Sequence, residues 1–191
     1  MELDWAVCPA HGWISHVAIH EAAHAAIAHA RGISFTGIAV AQPSKLLAAL
    51  RGDSSSAAGG LILPYSDPRS WVPQGGDGAV DVLMAGHIAE RMAFTHTLPN
   101  SHLGDMAILR NGMGWHAPHD RQSELDAQAA ARTRLEQELP EHYPAIQRIV
   151  HALTRDMNPE SLNHEWSTYS GDFDHVLYLH ADEIVALIES H

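Results

Sequence analysis

Five consecutive residues near the start of the chain, His20-Glu21-Ala22-Ala23-His24, combine two imidazoles and a carboxylate at a spacing suited to metal chemistry. On a helix, residues four apart lie one above the other, so both imidazoles can reach one ion. Zinc accepts imidazole nitrogens at about 2.0–2.1 Å. A glutamate directly after the first histidine can take a proton from a metal-activated water. The spacing therefore predicts a Zn²⁺ site formed by His20 and His24, with Glu21 as general base.

A catalytic zinc site also needs a third protein ligand and one open position. The metzincin pattern would place a histidine at position 30, but that residue is Ala30, and His29 is one residue off. Two carboxylates are then candidates for the third ligand, Glu90 and Asp105, each on a later predicted helix. Glu90 has two other interpretations: it can orient a metal-binding histidine through the second ring nitrogen, or lie on the helix surface.

The segment around the motif has the pattern of a buried helix. Residues 15–31 contain no proline or glycine, with Ser15 as the expected N-cap and Gly32 just past the C-terminal end. This helix is apolar nearly all round, which predicts burial. In such surroundings, unpaired imidazole and carboxylate groups would cost free energy, which favours a functional interpretation of the motif.

The rest of the chain predicts a mainly α protein with a small β element after the first helix. Strands are expected at 33–41 and 61–63, and breaker residues predict loops at 51–60 and 66–76. Hydrophobic periodicity and end signals predict five further helices. The first two cover 77–94 and a segment that begins at 101 or 103 and ends at 112–114. The next two cover 121–139, ended by Pro140, and 142–157, ended by Pro159, and the last covers 181–190. One or two helical turns are also expected at 44–51.

Composition is typical of one folded domain, here residues 1–191. The formal net charge of −12 argues against nucleic-acid binding, and the 11 Lys and Arg residues are scattered. Cys8 is the only cysteine, which excludes an internal disulfide and a cysteine-rich zinc site. The N-terminus lacks signal-peptide features, and no apolar run is long enough to span a membrane, so a cytoplasmic protein is expected.

Three motifs resemble those of the FtsH family of zinc metalloproteases. His20-Glu21-Ala22-Ala23-His24-Ala25 resembles its His-Glu-Ala-Gly-His-Ala motif, and Ala85-Gly86-His87-Ile88-Ala89-Glu90 is similar to its Gly-Gly-x-x-Ala-Glu motif. Gly104-Asp105 is similar to the segment that carries its aspartate ligand. The resemblance covers roughly residues 15–115, and Leu179 to Ile188 is like the family's final helix. It implies a helical zincin-like peptidase domain in which His20, His24 and Asp105 bind zinc and Glu21 is the base.

The chain also departs from the family's pattern. Alanines replace one glycine in each of the first two motifs, and Gly112 and Gly114 interrupt the helix that follows Asp105. No phosphate-binding Gly-x-x-x-x-Gly-Lys-Ser/Thr sequence is present, so we expect a stand-alone peptidase domain without the family's ATPase module and membrane anchor.

The main hypothesis is a zinc metalloendopeptidase that hydrolyses peptide bonds in unfolded or flexible polypeptides. The strand at 33–41 is expected to offer an edge on which an extended peptide adds. Two alternatives stay open: a non-catalytic zinc-binding regulatory module, and a peptidase that needs a separate ATPase partner. The presence of Glu21 argues against the first, because a structural site has no use for that carboxylate. Self-association into a homo-oligomer is also open.

Overall fold

Helix α1 (Trp13–Ala30), which carries the motif, is buried in the computed structural model, which describes residues 13–40, 59–62, 76–94, 97, 102–155 and 177–190. Every residue from Ser15 to Ala28 is buried, as the all-round apolar pattern predicted. The helix begins at Trp13, so Ser15 lies inside it and the N-cap prediction is wrong. Gly32 has a φ of 66°, and two backbone hydrogen bonds, from Gly32 to His29 and from Ile33 to Ala28, end the helix there.

Three other helices confirm the predicted elements. Helix α2 (Asp77–Ala93) packs against α1, and α3 (Leu103–Met113) follows it. A short 3₁₀ helix (Pro118–Asp120) leads into the next long helix, and α5 (Ala181–Glu189) is the last. The described residues are thus mainly helical, as expected, and none of their helices has both the length and the apolarity needed to cross a membrane.

Helix α4 (Arg121–Thr154) is one continuous helix where two were predicted. The prediction that Pro140 ends the first of them is wrong, because Pro140 and Pro144 both lie inside the helix. A proline in a helix interior removes a backbone donor and costs about 3 kcal/mol. Each large apolar side chain that is fully buried contributes roughly 1.5–3 kcal/mol, so packing on both sides of the prolines offsets this cost. The side chains concerned are Leu135, Leu139, Ile146 and Ile149.

A small antiparallel sheet completes the fold. Its strands are β1 (Gly37–Val40), β2 (Gly59–Ile62) and β3 (Leu177–His180), in the order β2-β1-β3. In register, Ile38 of β1 lies opposite Leu61 and Leu179. Because β1 is paired on both sides along its whole length, the expectation that the strand at 33–41 offers a free edge is wrong.

The sheet differs from the sequence-based expectation in two further respects. Residues 33–36 precede β1 and are not part of it, and β3 was not predicted at all. A strand of four residues is too short for its own pattern to be recognised, and β3 forms only through pairing with a distant part of the chain. The helical turn expected at 44–51 and the loop expected at 66–76 lie outside the described residues, apart from Gly76. So does the loop expected at 51–60, apart from Gly59 and Gly60, which belong to β2.

Charged side chains join α1, α2 and α4. Arg31, just after α1, donates from Nε to Asp81 Oδ2 at 3.0 Å and from Nη1 to Glu138 Oε1 at 2.7 Å. Arg134 donates from Nη2 to Asp81 Oδ1 at 2.7 Å. Asp81 is 2% exposed, and the two guanidinium groups compensate for the burial of its charge. This cluster fixes the position of α2 against α1, and both helices contribute to the candidate site.

Replacing Glu138 with glutamine is expected to weaken the dependence of stability on acid pH. Hydrogen bonding to Arg31 lowers the pKa of Glu138 from 4.5 to about 2. A pKa that is lower in the folded state stabilises the protein above pH 4.5, and this contribution is lost as the pH falls through about 2. Urea unfolding of the wild type and of Glu138→Gln between about pH 6 and pH 2 measures the free energy of unfolding of each. The difference in unfolding free energy should shrink toward acid pH; a constant difference would contradict the prediction.

Candidate metal centre

Two imidazoles of α1 and one carboxylate of α3 meet at a single point. His20 Nε2 lies 3.1 Å from Asp105 Oδ2, and His24 Nε2 lies 3.6 Å from the same oxygen. One ligand atom from each of the three residues lies within 4.8 Å of the other two. The side chains of His20, His24 and Asp105 are 7%, 3% and 18% exposed. This buried group, which the family resemblance implied as the ligand set, can hold a metal ion.

His24 is oriented by the backbone of α2. Its Nδ1 donates a hydrogen bond to the carbonyl oxygen of Val82 at 2.5 Å. A proton on Nδ1 leaves Nε2 with a lone pair, and Nε2 is the nitrogen that faces Asp105. Among the described residues, this buried Nε2 has no hydrogen-bond partner. A metal-binding histidine is commonly held in this way, with one nitrogen bonded to a carbonyl and the other directed at the ion.

Glu90 lies beside Nδ1 of His20, as the Val82 carbonyl lies beside Nδ1 of His24. It is fully buried, so the surface interpretation is wrong. Its Oε2 lies 3.5 Å from Nδ1 of His20, and its Oε1 lies 2.8 Å from Nδ1 of His16. Since Glu90 faces the opposite side of the His20 ring from Asp105, the geometry favours Glu90 as an orienting carboxylate and Asp105 as the third ligand.

His16 belongs to this arrangement and was missed in the sequence. Its ring is fully buried, stacks on Phe94 with a centroid distance of 3.9 Å, and bonds to Glu90. The sequence contains a pattern that could have identified it: His16, His20 and His24 are spaced four apart and therefore share one face of a helix. The pair His16 and Glu90 holds the far side of the His20 ring in place.

Gly86 brings the backbone of α2 close to both imidazoles. A Cβ atom at this position would lie 2.6 Å from Nε2 of His20 and 2.6 Å from Nε2 of His24. Real Cβ atoms essentially never approach other atoms so closely. The glycine thus keeps open the space in front of the two nitrogens that would bind an ion, which fits the ligand set.

The electrostatics of the cluster favour a positive charge. Burial lowers the pKa of His20, but hydrogen bonding to Asp105 and Glu90 outweighs burial and raises it from 6.5 to about 10. Burial would raise the pKa of Asp105, yet the facing His24 and His20 hold it well below its usual range. The carboxylates that retain a proton on His20 would equally stabilise a divalent cation. Metal binding would displace that proton, so affinity falls as pH falls.

Glu21 lies beside the ligands. It is 5% exposed, and its charge contributes to raising the pKa of His20. His29 lies elsewhere, with its Nε2 3.9 Å from Glu189 Oε1. The predicted ligands therefore meet in this cluster, the predicted base directly follows His20 in the chain, and His29 is not part of the group.

Comparisons with known proteins leave the family of the chain open, because no family model and no curated protein matches it. The resemblance to the FtsH family rests on three short motifs. Residues of all three meet in space: His20 and His24 from the first, Gly86 and Glu90 from the second, and Asp105 from the third.

Replacing Glu90 with glutamine is expected to weaken metal binding about 10- to 100-fold, since the amide orients His20 less well than the carboxylate does. Competition with a chromophoric chelator measures the affinity. Glu141→Gln, at an exposed position of α4, is the control. Unchanged affinity in Glu90→Gln would show that this carboxylate does not orient His20.

Proposed function

We propose that this chain is a zinc-dependent metalloendopeptidase, similar in its site to the FtsH family, that hydrolyses peptide bonds in unfolded or flexible polypeptides. One observation carries the proposal: the Nε2 atoms of two histidines one helical turn apart face the same carboxylate oxygen, with Glu21 beside them. Two imidazoles and one carboxylate suit zinc and leave a coordination position for water or substrate.

His20, His24 and Asp105 would hold the ion, and Glu21 would move the proton. Bound zinc would polarise the scissile carbonyl and lower the pKa of water to about 7. Glu21 accepts the proton of the attacking water and delivers it to the leaving amine. His16 and Glu90 keep His20 in its orientation, and the Val82 carbonyl does the same for His24.

The exposure of the ligands supports catalysis over a structural role. Asp105 is 18% exposed while His20 and His24 are almost fully covered, so the cluster opens to solvent on the side of α3. Structural zinc sites are closed by four protein ligands. Within the part of the chain that the structure describes, three residues form this group. A ligand set of three with a buried glutamate beside it favours an enzyme.

The substrate would bind as an extended chain. Among the described strands, β1 is internal and β2 and β3 are the outer ones, so an extended substrate would pair with one of these two. An extended segment can pair with such an edge through backbone hydrogen bonds, which a folded substrate cannot offer.

Metal content and cleavage, measured on the same preparation, test the proposal. We expect one zinc per chain and degradation of denatured casein, blocked by a chelator and restored by zinc. One zinc without turnover would favour the non-catalytic regulatory module. Absence of bound zinc after gentle purification would contradict the site itself. Resistance of folded proteins to cleavage would indicate that a separate ATPase is needed for such substrates.

A further inference from the structure

A cavity of about 430 Å³ lies between α2, α3 and α4, next to the metal centre. His87 lines it and directly follows Gly86, the residue that faces the two imidazoles. Met106, also in the lining, directly follows Asp105. The two helices that complete the metal centre therefore also form walls of the cavity, and His87 in one of these walls interacts electrostatically with His20 of the centre.

The lining of the cavity is cationic. Arg110, Arg121 and Arg132 line it, and no aspartate or glutamate does. The whole chain has only 11 Lys and Arg residues and a net charge of −12. Glu124 balances one of the charges of Arg110 and Arg121, and the exposed Glu136 lies near Arg132. One positive charge is left over around the cavity, which attracts an anionic group to an otherwise acidic protein.

Arg132 has hydrogen-bonding capacity left for a ligand. Arg110 and Arg121 share Glu124: Arg110 Nε donates to Oε1 at 2.8 Å, and Arg121 Nη1 donates to Oε2 at 3.1 Å. Arg132 makes no hydrogen bond to any residue that the structure describes, and the Oε1 of the exposed Glu136 is 3.7 Å from its Nε. A guanidinium with free donors can bind a carboxylate through two parallel hydrogen bonds.

Besides polar His87, His102 and Gln128, the remaining lining is apolar and partly exposed. Leu103 and Leu125 are 50% and 41% exposed, and Met84 and Met106 are buried behind them. The described residues include only four exposed large hydrophobic side chains, and two of these are at this cavity. Such a surface suits the methylene groups of a ligand whose charged end reaches Arg132.

We propose that this cavity is the specificity pocket of the site and that it binds a carboxylate carried by the substrate on an apolar stem. The carboxylate is either a glutamate side chain or the C-terminal carboxylate of a peptide. This inference rests on the proposed function, because it assigns the substrate preference of that same centre. Arg132 bonds to the carboxylate, and the leucines and methionines cover the stem.

Cleavage of matched peptides separates the two sources of the carboxylate. Peptides differ at single positions by Glu, Gln or Lys, and each is made with a free and with an amidated C-terminus. We expect about tenfold higher kcat/KM either for Glu over Gln at one position or for the free acid over the amide, as loss of a charged hydrogen bond predicts. The first result would identify the bound carboxylate as a glutamate side chain, and the second would identify it as the C-terminus of the peptide.

Substitutions of Arg132 link the preference to the cavity. Its side chain is 45% exposed, so replacement leaves the core intact. Arg132→Gln should bring the kcat/KM for the preferred carboxylate peptide close to that for its uncharged counterpart. Arg132→Glu should shift the preference toward the lysine peptide. Arg155→Gln, just past the C-terminal end of the same helix and about 35 Å from position 132, is the control and should keep the preference.

Binding to the Glu21→Gln protein distinguishes failure of this inference from failure of the proposed function. Calorimetry measures the affinity for the preferred carboxylate peptide with and without Arg132→Gln. Binding that depends on Arg132 without any cleavage by the wild-type protein would leave the pocket in place and refute the peptidase. Cleavage with no carboxylate preference, unchanged in Arg132→Gln, would refute the pocket and leave the peptidase.

Discussion

Replacing Glu21 with glutamine should abolish peptide cleavage while the protein keeps its metal. Glutamine has nearly the same shape as glutamate, so the buried side chain still fits its surroundings. The amide cannot accept the proton of the attacking water, and loss of a general base lowers the rate by about 10²- to 10⁴-fold. The kcat for a fluorogenic peptide and the zinc content, measured together, test the prediction.

Asp105→Ala is the matched comparison for Glu21→Gln. Removing the Asp105 carboxylate takes away one of the three candidate ligands, so this variant should lose both zinc and activity. Glu21→Gln should lose activity alone. Retained cleavage in Glu21→Gln would refute the base assignment, whereas loss of zinc from it would show that Glu21 supports the ligands and not the proton transfer.

Replacing Gly86 with alanine should strongly weaken metal binding without unfolding the protein. The new Cβ would lie 2.6 Å from the Nε2 atoms of His20 and His24, so the imidazoles must move or the ion must be excluded. The helix itself should not be destabilised, because alanine in a helix interior is favoured over glycine by about 1 kcal/mol. We expect zinc affinity to fall about 100-fold or more, comparable to the loss of strong ligand support.

Gly104→Ala provides the control for this substitution. Gly104 also lies in a helix, α3, directly before Asp105, and a Cβ there would meet nothing within 4 Å. It should bind zinc like the wild type. Circular dichroism and thermal unfolding verify that both variants fold, and chelator competition measures their affinities. Normal zinc binding by Gly86→Ala would contradict the position assigned to the ion.

Local sequence spacing predicted much of the candidate site. The distance between His20 and His24 follows from helix geometry alone, and the absence of breakers around them identified α1. Asp105 entered through the family resemblance, and it meets the histidines in the structure. Both observations rest on short segments that could be interpreted without the rest of the fold, and the assignment of these residues to zinc stays a prediction.

Contacts between distant segments were the ones that sequence reasoning missed. Nothing local shows that Val82 offers its carbonyl to His24, or that α2 approaches so closely at Gly86. The same holds for β3, which exists only through its pairing with β1. At Pro140 a local rule was overruled, since packing of the neighbouring apolar side chains keeps α4 continuous.

Helix α3 is held to the rest of the protein by little hydrophobic contact, because only Met106 and Leu109 among its residues are buried. An ion shared by Asp105 and the two imidazoles would act as a cross-link between segments about 80 positions apart in the chain. Binding that occurs only in the folded state adds its free energy to the stability of that state. If the proposed site binds zinc, metal loading and the shape of the neighbouring cavity would therefore be coupled, and loss of zinc would change the proposed substrate preference as well as the proposed catalysis.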